Sequence, residues 1–162
     1  MAYKKKTWKE KLETEKGFPK VLDYSANLPC GRALKKIGAK VGDSVELAPP
    51  IEVSEIMGKV PAGRLITLNE ICRELARKHK TDFCCTLTTG IFVMTVANAA
   101  EETKEDVPYW RTIKNNGELN AKYPGGMERH KKLLEKEGFE ILQKGSEYIV
   151  EDFNNYLYHS ES

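Results

Sequence analysis

The chain has 162 residues, 40% of them hydrophobic and 31% charged, and a net charge of +2. That composition belongs to a globular protein with one ordinary core and excludes fibrous, disordered and disulfide-stapled classes. No apolar run approaches the roughly 20 residues a bilayer crossing needs, and Lys4 to Lys6 lead into Trp8-Lys9-Glu10-Lys11 instead of an apolar signal segment, so a soluble cytoplasmic protein is expected.

Charge is unevenly spread. Residues 1–48 carry eleven Lys/Arg against six Asp/Glu, residues 49–143 balance at fourteen each, and the last nineteen carry one against four. A basic arm on a neutral body steers a protein to a polyanion, although a merely solvated arm accounts for the charge equally well. Within residues 1–48, charged helical patches alternate with breakers such as Gly17, Pro19, Pro29, Gly31 and Gly42. The spacing predicts an extension packed on or flanking the core, with the compact part beginning at Pro49-Pro50.

Ile51, Val53, Ile56 and Met57 recur at helical spacing until Gly58 and Pro61 stop the helix. In "ITLNEICRELARKHK", Thr67 and Glu70 form a capping box. Leu68, Ile71, Cys72 and Leu75 then make one apolar stripe, with Arg73, Arg77 and Lys78 outside. A polar turn from His79 to Asp82 leads to a second helix, whose stripe is read as Phe83, Leu87, Ile91 and Met94. Two helices so closely joined suggest a helix-turn-helix unit, a common DNA-binding element. Glu101 to Asp106 reads as a solvated acidic loop. Tyr109 to Ile113 looks extended, Asn115-Asn116-Gly117 supplies a tight turn, and Pro124-Gly125-Gly126 opens a helix that Gly138 terminates. "FEILQKGSEYIVEDF" predicts a terminal hairpin about Lys144-Gly145-Ser146. The domain reading is an extension over 1–48, a DNA-binding domain over 49–143, and a hairpin and tail over 144–162 completing it.

Cys30, Cys72, Cys84 and Cys85 form no CxxC pair and no Cys/His ligand spacing, so buried free thiols are expected and no metal site. His130, on a charged helix face, is expected to be solvated. No Ser/His/Asp set, phosphate-binding glycine loop or paired-carboxylate arrangement is found.

The stretches "VPAGRLITLNEICREL", "PYWR" and "GELNAKYPGGMERHKKLLEKEG" occur in the order of three motifs of one family. From about Ile51 to Gly138 the chain resembles the DNA-binding, active-site domain of alkylguanine-DNA alkyltransferases. The resemblance implies an α+β, predominantly helical fold, winged helix-turn-helix-like, with the N-terminal extension and C-terminal hairpin outside it. Pro108, Arg111, Tyr123 and Glu137 match the family's pattern. Tyr109 stands at the acceptor cysteine and Trp110 at the activating histidine. A phenol with pKa near 10 and an indole N–H cannot replace a thiolate and its base, so alkyl transfer is not expected. The family's intercalating arginine is Leu87 here and its helix-entry tyrosine is Leu68; Leu87 is expected to face the core.

The resemblance implies a binding pocket of Pro108, Tyr109, Trp110, Arg111, Tyr123, Pro124, Gly125 and Glu137, with Trp110 equally well read as core filling. It implies a DNA-facing set of Arg73, Arg77, Lys78, Thr86, Leu87, Thr88, Thr89 and Gly90. "LPCGR" at Leu28 to Arg32 copies the family's Pro-Cys-x-Arg only superficially, and Cys30 reads as structural. The leading expectation is a non-catalytic, alkyltransferase-like protein binding duplex DNA, recognising an altered base and recruiting a repair protein, as a monomer with no cofactor. A protein-interaction or small-ligand module that kept the fold but lost DNA is the second, and an enzyme using Cys30, Cys84 or Cys85 the third.

Overall fold

The structure, a computed structural model, describes residues 7–14 and 17–159; Lys4 to Lys6, the start of the expected basic arm, lie outside the described residues. Helix α3 (Pro50–Lys59) begins at a proline, whose fixed φ suits the first helical turn, and buries Val53, Ile56 and Met57. Helix α4 (Leu68–His79) buries Ile71, Cys72, Leu75 and Ala76 and leaves Arg73, Arg77 and Lys78 outside, as its apolar stripe requires. Only half of its capping box is present. The Thr67 hydroxyl accepts from the Glu70 N–H at 3.3 Å, but the Glu70 carboxylate is drawn away to Arg73, 3.2 Å off, and lies 3.5 Å from His159.

The next element departs from the periodicity. Phe83 and Cys84 form strand β4, paired in parallel with β2 (Ser44–Leu47), so helix α5 (Thr86–Thr103) starts three residues late, with Cys85 at its N-cap. Its buried face is Thr89, Val93, Val96, Ala97 and Ala100. The expected stripe lies elsewhere: Leu87 is 50% and Ile91 53% exposed. A threonine at the first core position concealed the true stripe. Its hydroxyl is satisfied without water, donating to the Cys85 carbonyl at 2.8 Å, while Thr95 and Thr103 bond back to Ile91 and Ala99 in the same way.

Helix α5 also runs into the segment read as an acidic loop. Its Glu102 carboxylate accepts the N–H groups of Trp8 and Lys9 at 3.2 and 3.3 Å, capping α1 (Trp8–Leu12) from outside. Helices α1, α3, α4 and α5 thereby enclose the main core, which includes Met57, Ile71, Leu75, Val96, Tyr109 and Tyr123.

A second core of Tyr24, Cys30, Leu34, Ala39, Val45 and Cys85 fastens α2 (Gly31–Lys36) to a sheet ordered β1-β2-β4, in which β1 (Lys20–Asp23) runs antiparallel to β2. Gly31 is obligatory there, because a Cβ would sit 2.5 Å from the Ala26 carbonyl oxygen. All four cysteines are free and buried, as expected; Cys30 belongs to this core and not to the one holding Tyr109.

Strands β3 (Ile66–Thr67) and β5 (Thr112–Ile113) pair in parallel, so they carry the Tyr109 segment to the entry of α4. Tyr109–Arg111 is a 3₁₀ turn where an extended run was expected. Helix α6 (Gly126–Lys136) and the hairpin β6 (Ile141–Lys144) with β7 (Glu147–Val150) enclose a third core of Leu65, Leu119, Leu134, Phe139 and Val150. The fold is α+β and predominantly helical.

Candidate nucleic-acid interface

The turn after Pro108 buries one ring and exposes the next two residues to a carboxylate. Tyr109 is 2% exposed and its hydroxyl donates to Glu101 at 2.6 Å; the Arg129 guanidinium holds the same carboxylate at 2.7 Å. Glu101 thus belongs to helix α5 and to a hydrogen-bonded network, not to a solvated loop. Burial, then the hydrogen bond to Glu101, pushes the Tyr109 phenol far above its usual range. Its ring meets those of Trp110 and Tyr123 edge-on, at centroid distances of 5.5 and 5.3 Å. The Tyr123 hydroxyl donates to the Thr112 carbonyl at 3.0 Å, and burial raises its phenol as well.

Glu137, just after α6, collects the other side of the turn. Trp110 donates to it through Nε1, Arg111 Nε lies 3.0 Å from both its oxygens, and the Gly63 N–H donates at 3.1 Å. Arg111 Nη1 continues to the Val60 carbonyl at 2.8 Å. A carboxylate with this many donors joins three segments: the loop after α3, the 3₁₀ turn and the end of α6.

His130 contradicts the solvated reading. It is 1% exposed on α6, with Nε2 donating to the Trp110 carbonyl at 2.7 Å and Nδ1 accepting from the Asn120 N–H at 3.1 Å. The two backbone partners dictate a neutral ring with the proton on Nε2, and burial lowers its pKa to about 4. A histidine one turn before buried Leu134 was the available signal.

An open cleft of about 560 Å³ lies beside this network, lined by Leu68, Gly90, Val93, Thr112, Asn115 and Tyr123 among others. The Asn115 side chain accepts from the Asn69 N–H at 2.7 Å, fixing the turn to the start of α4. Of the expected pocket, Tyr123 alone reaches this lining; Pro108, Tyr109, Trp110, Arg111, Pro124, Gly125 and Glu137 do not. No cysteine lines it. Burial and Cys85 push the Cys30 thiol up to about 12, while Cys84, lowered by a hydrogen bond from Cys72, is buried against the Thr89 hydroxyl at 3.4 Å.

The expected DNA-facing residues divide into two groups. Thr86 and Leu87 line an open groove continuous with the cleft, and Gly90 lies in the cleft wall. Thr88 is half-buried, its N–H directed at Cys85 Sγ, and Thr89 faces the core, which corrects its assignment to the groove. Arg73 is paired with Glu70, and Lys78 lies 2.6 Å from Glu52 and 3.9 Å from Glu55. Arg77 shares a separate groove with Glu52, Glu55 and Glu74. The cations of α4 are interleaved with carboxylates, a pattern hidden in the sequence because Glu52 and Glu55 belong to another helix.

Residues 50–139 match the family model described as "6-O-methylguanine DNA methyltransferase, DNA binding domain". No curated protein matches the chain. Two solved structures share its fold. S. pombe Atl1 in complex with damaged DNA containing O6-carboxymethylguanine is 24% identical, with a TM-score of 0.52. S. pombe ATL in complex with DNA is 21% identical, with a TM-score of 0.53. Each likeness covers 68% of this chain and 94% of the other. The family match spans more than half of the sequence and contains the Pro108–Arg111 turn, Tyr123 and Glu137, so this chain belongs to the 6-O-methylguanine DNA methyltransferase DNA-binding-domain family.

Proposed function

We propose that the protein binds duplex DNA, accepts an altered base in the cleft between Leu68, Gly90 and Tyr123, and marks it for repair without transferring the alkyl group. The observation that carries this reading is the state of Tyr109. The residue at the acceptor position is a buried phenol whose proton is committed to Glu101, while the cleft next to it remains open. Trp110 supplies a donor and no base, and Glu137 is already engaged by Trp110, Arg111 and Gly63. The solved relatives support the partner: both are described in complex with DNA, one of them containing O6-carboxymethylguanine.

In this reading Pro108, Tyr109, Trp110, Arg111, Pro124, Gly125 and Glu137 are the scaffold of the pocket and Tyr123 its wall. Leu87, exposed near the start of α5, acts as an apolar wedge between bases. Residues 49–143 form the DNA-binding unit, flanked by the N-terminal extension and completed by the C-terminal hairpin. The protein works in the cytoplasm as a monomer without cofactor, and a repair protein is its second partner. No helix among the described residues is long and apolar enough to cross a membrane.

The test is fluorescence anisotropy with matched duplexes, with and without an alkylated guanine, across a series of salt concentrations. Tighter binding of the modified duplex is expected. Equal, salt-sensitive affinity for both would leave a general DNA-binding module, and no binding at low salt would transfer the search to protein or small-molecule partners.

A further inference from the structure

Most of the cations the sequence nominated for DNA are already occupied by carboxylates, so a polyanion needs positive charge from elsewhere. The groove of about 600 Å³ beside α5 supplies it. Arg32 and Lys36 line it together with Thr86, Leu87, Asn69 and Asn115. Through Leu68 and Asn115 this groove is continuous with the proposed base cleft. No acidic residue lines it. Among the described residues no side-chain hydrogen bond or ion pair engages Arg32 or Lys36, and both are exposed.

The position of these two cations is set by packing. Leu34, between them in sequence, is fully buried, the Tyr24 hydroxyl donates to the Gly31 carbonyl at 3.1 Å, and Gly31 lies against the Ala26 backbone where no side chain fits. Arg32 and Lys36 are four residues apart on α2, so their stems emerge about 6 Å apart on one face. That face brings two positive charges to a groove that Asn69, Asn115 and Thr86 also line. Neutral amides and hydroxyls beside fixed cations are the donor set that sugar–phosphate backbones take.

We infer that Arg32 and Lys36 form a second contact of the DNA footprint, gripping phosphates alongside α5 from a helix that lies outside the family-matched segment. This rests on the DNA-binding reading above. The two cations replace the electrostatic contribution that Arg73 and Lys78 surrender to Glu70 and Glu52.

The test compares salt slopes. The slope of log Kobs against log salt is measured for the wild type, for Arg32→Ala with Lys36→Ala, and for Arg73→Ala with Lys78→Ala, each on an unmodified duplex. Each phosphate contact contributes about 0.9 to the slope, so the α2 pair is expected to flatten it by about 2 and the α4 pair to change it by less than about 0.5. Replacing the same residues by glutamine is expected to do likewise, and exchanging them as Arg32→Lys with Lys36→Arg to restore the slope, with circular dichroism melts confirming the fold. Wild-type binding with an unchanged slope in both α2 variants would overturn this inference and leave the DNA reading intact. Absence of wild-type binding at low salt would overturn both.

Discussion

The indole N–H of Trp110 donates to the carboxylate of Glu137. Trp110, which the resemblance aligns with the family's activating histidine, serves here only to hold that glutamate, because an indole nitrogen cannot accept a proton. With Arg111 in the same cluster, the pair becomes a structural clamp.

The clamp predicts a stability cost. Removing the carboxylate with Glu137→Ala leaves the half-buried Arg111 charge, the indole N–H and the Gly63 N–H without their shared acceptor, and about 3 kcal/mol of stability should be lost. Arg111→Lys should cost more than half as much, because an ammonium cannot span both Glu137 and the Val60 carbonyl with the same fixed fork. Urea titrations would check both, and a loss under about 0.5 kcal/mol for Glu137→Ala would refute the clamp.

Leu87 separates the two readings of helix α5. A buried core leucine loses about 2–5 kcal/mol on truncation to alanine, whereas an exposed one changes stability by no more than about 0.5 kcal/mol. Half exposed as it is, Leu87 should behave as the second kind. Leu87→Ala should therefore leave the thermal midpoint within a few degrees of the wild type while weakening discrimination between modified and unmodified duplexes in the anisotropy assay.

Acid and base act on different buried groups. His130 has a folded pKa near 4, below its ordinary 6.5, so its contribution is complete above pH 6.5 and is lost as pH falls toward 4. Glu46 is the opposite case. Fully buried on β2 with both carboxylate oxygens lacking a hydrogen-bond partner, and with His79 Nδ1 3.4 Å away, it is pushed by burial up to about 7. Its folded state prefers the proton, so stability declines as pH rises from about 4.5 to 7. Stability measured against pH should thus gain relative to wild type in Glu46→Gln above about pH 7, and its acid limb should flatten in His130→Gln. Parallel profiles for wild type and both variants would contradict these assignments.

No thiol is both exposed and activated, so intact mass should be unchanged after incubation with O6-benzylguanine in free form or in a duplex. A gain equal to one benzyl group, mapped to any of the four cysteines, would restore an enzymatic reading.

Where local signals carry the structure, the sequence was legible. The stripe of α4, the Gly138 stop after α6 and the β6–β7 hairpin each depend on residues adjacent in the chain, and each is present. Misreadings arose where distant partners decide. Phe83 and Cys84 share helical spacing with the residues of α5, but β2 recruits them into a sheet, and this turns Leu87 and Ile91 outward. His130 and Glu101 look solvated in sequence and are held by Trp110, Asn120, Tyr109 and Arg129. The aromatic and charged residues of the expected pocket do converge, yet they fill one another's space, and only Tyr123 among them joins Leu68, Gly90 and Asn115 in lining the open cleft. Arg32 and Lys36 were legible only as part of the basic extension, because nothing in their local sequence connects them to α5.

The parallel pairing of β2 with β4 has a consequence for where this protein can be divided. Val45 and Glu46 precede the family-matched segment, yet they align the two residues immediately before the Cys85 cap of α5. A fragment trimmed to the homology boundary would retain every motif residue and lose the strand that orients them. The family-matched segment and the packed sheet thus have different edges, and the aim of α5 depends on a strand that precedes the match.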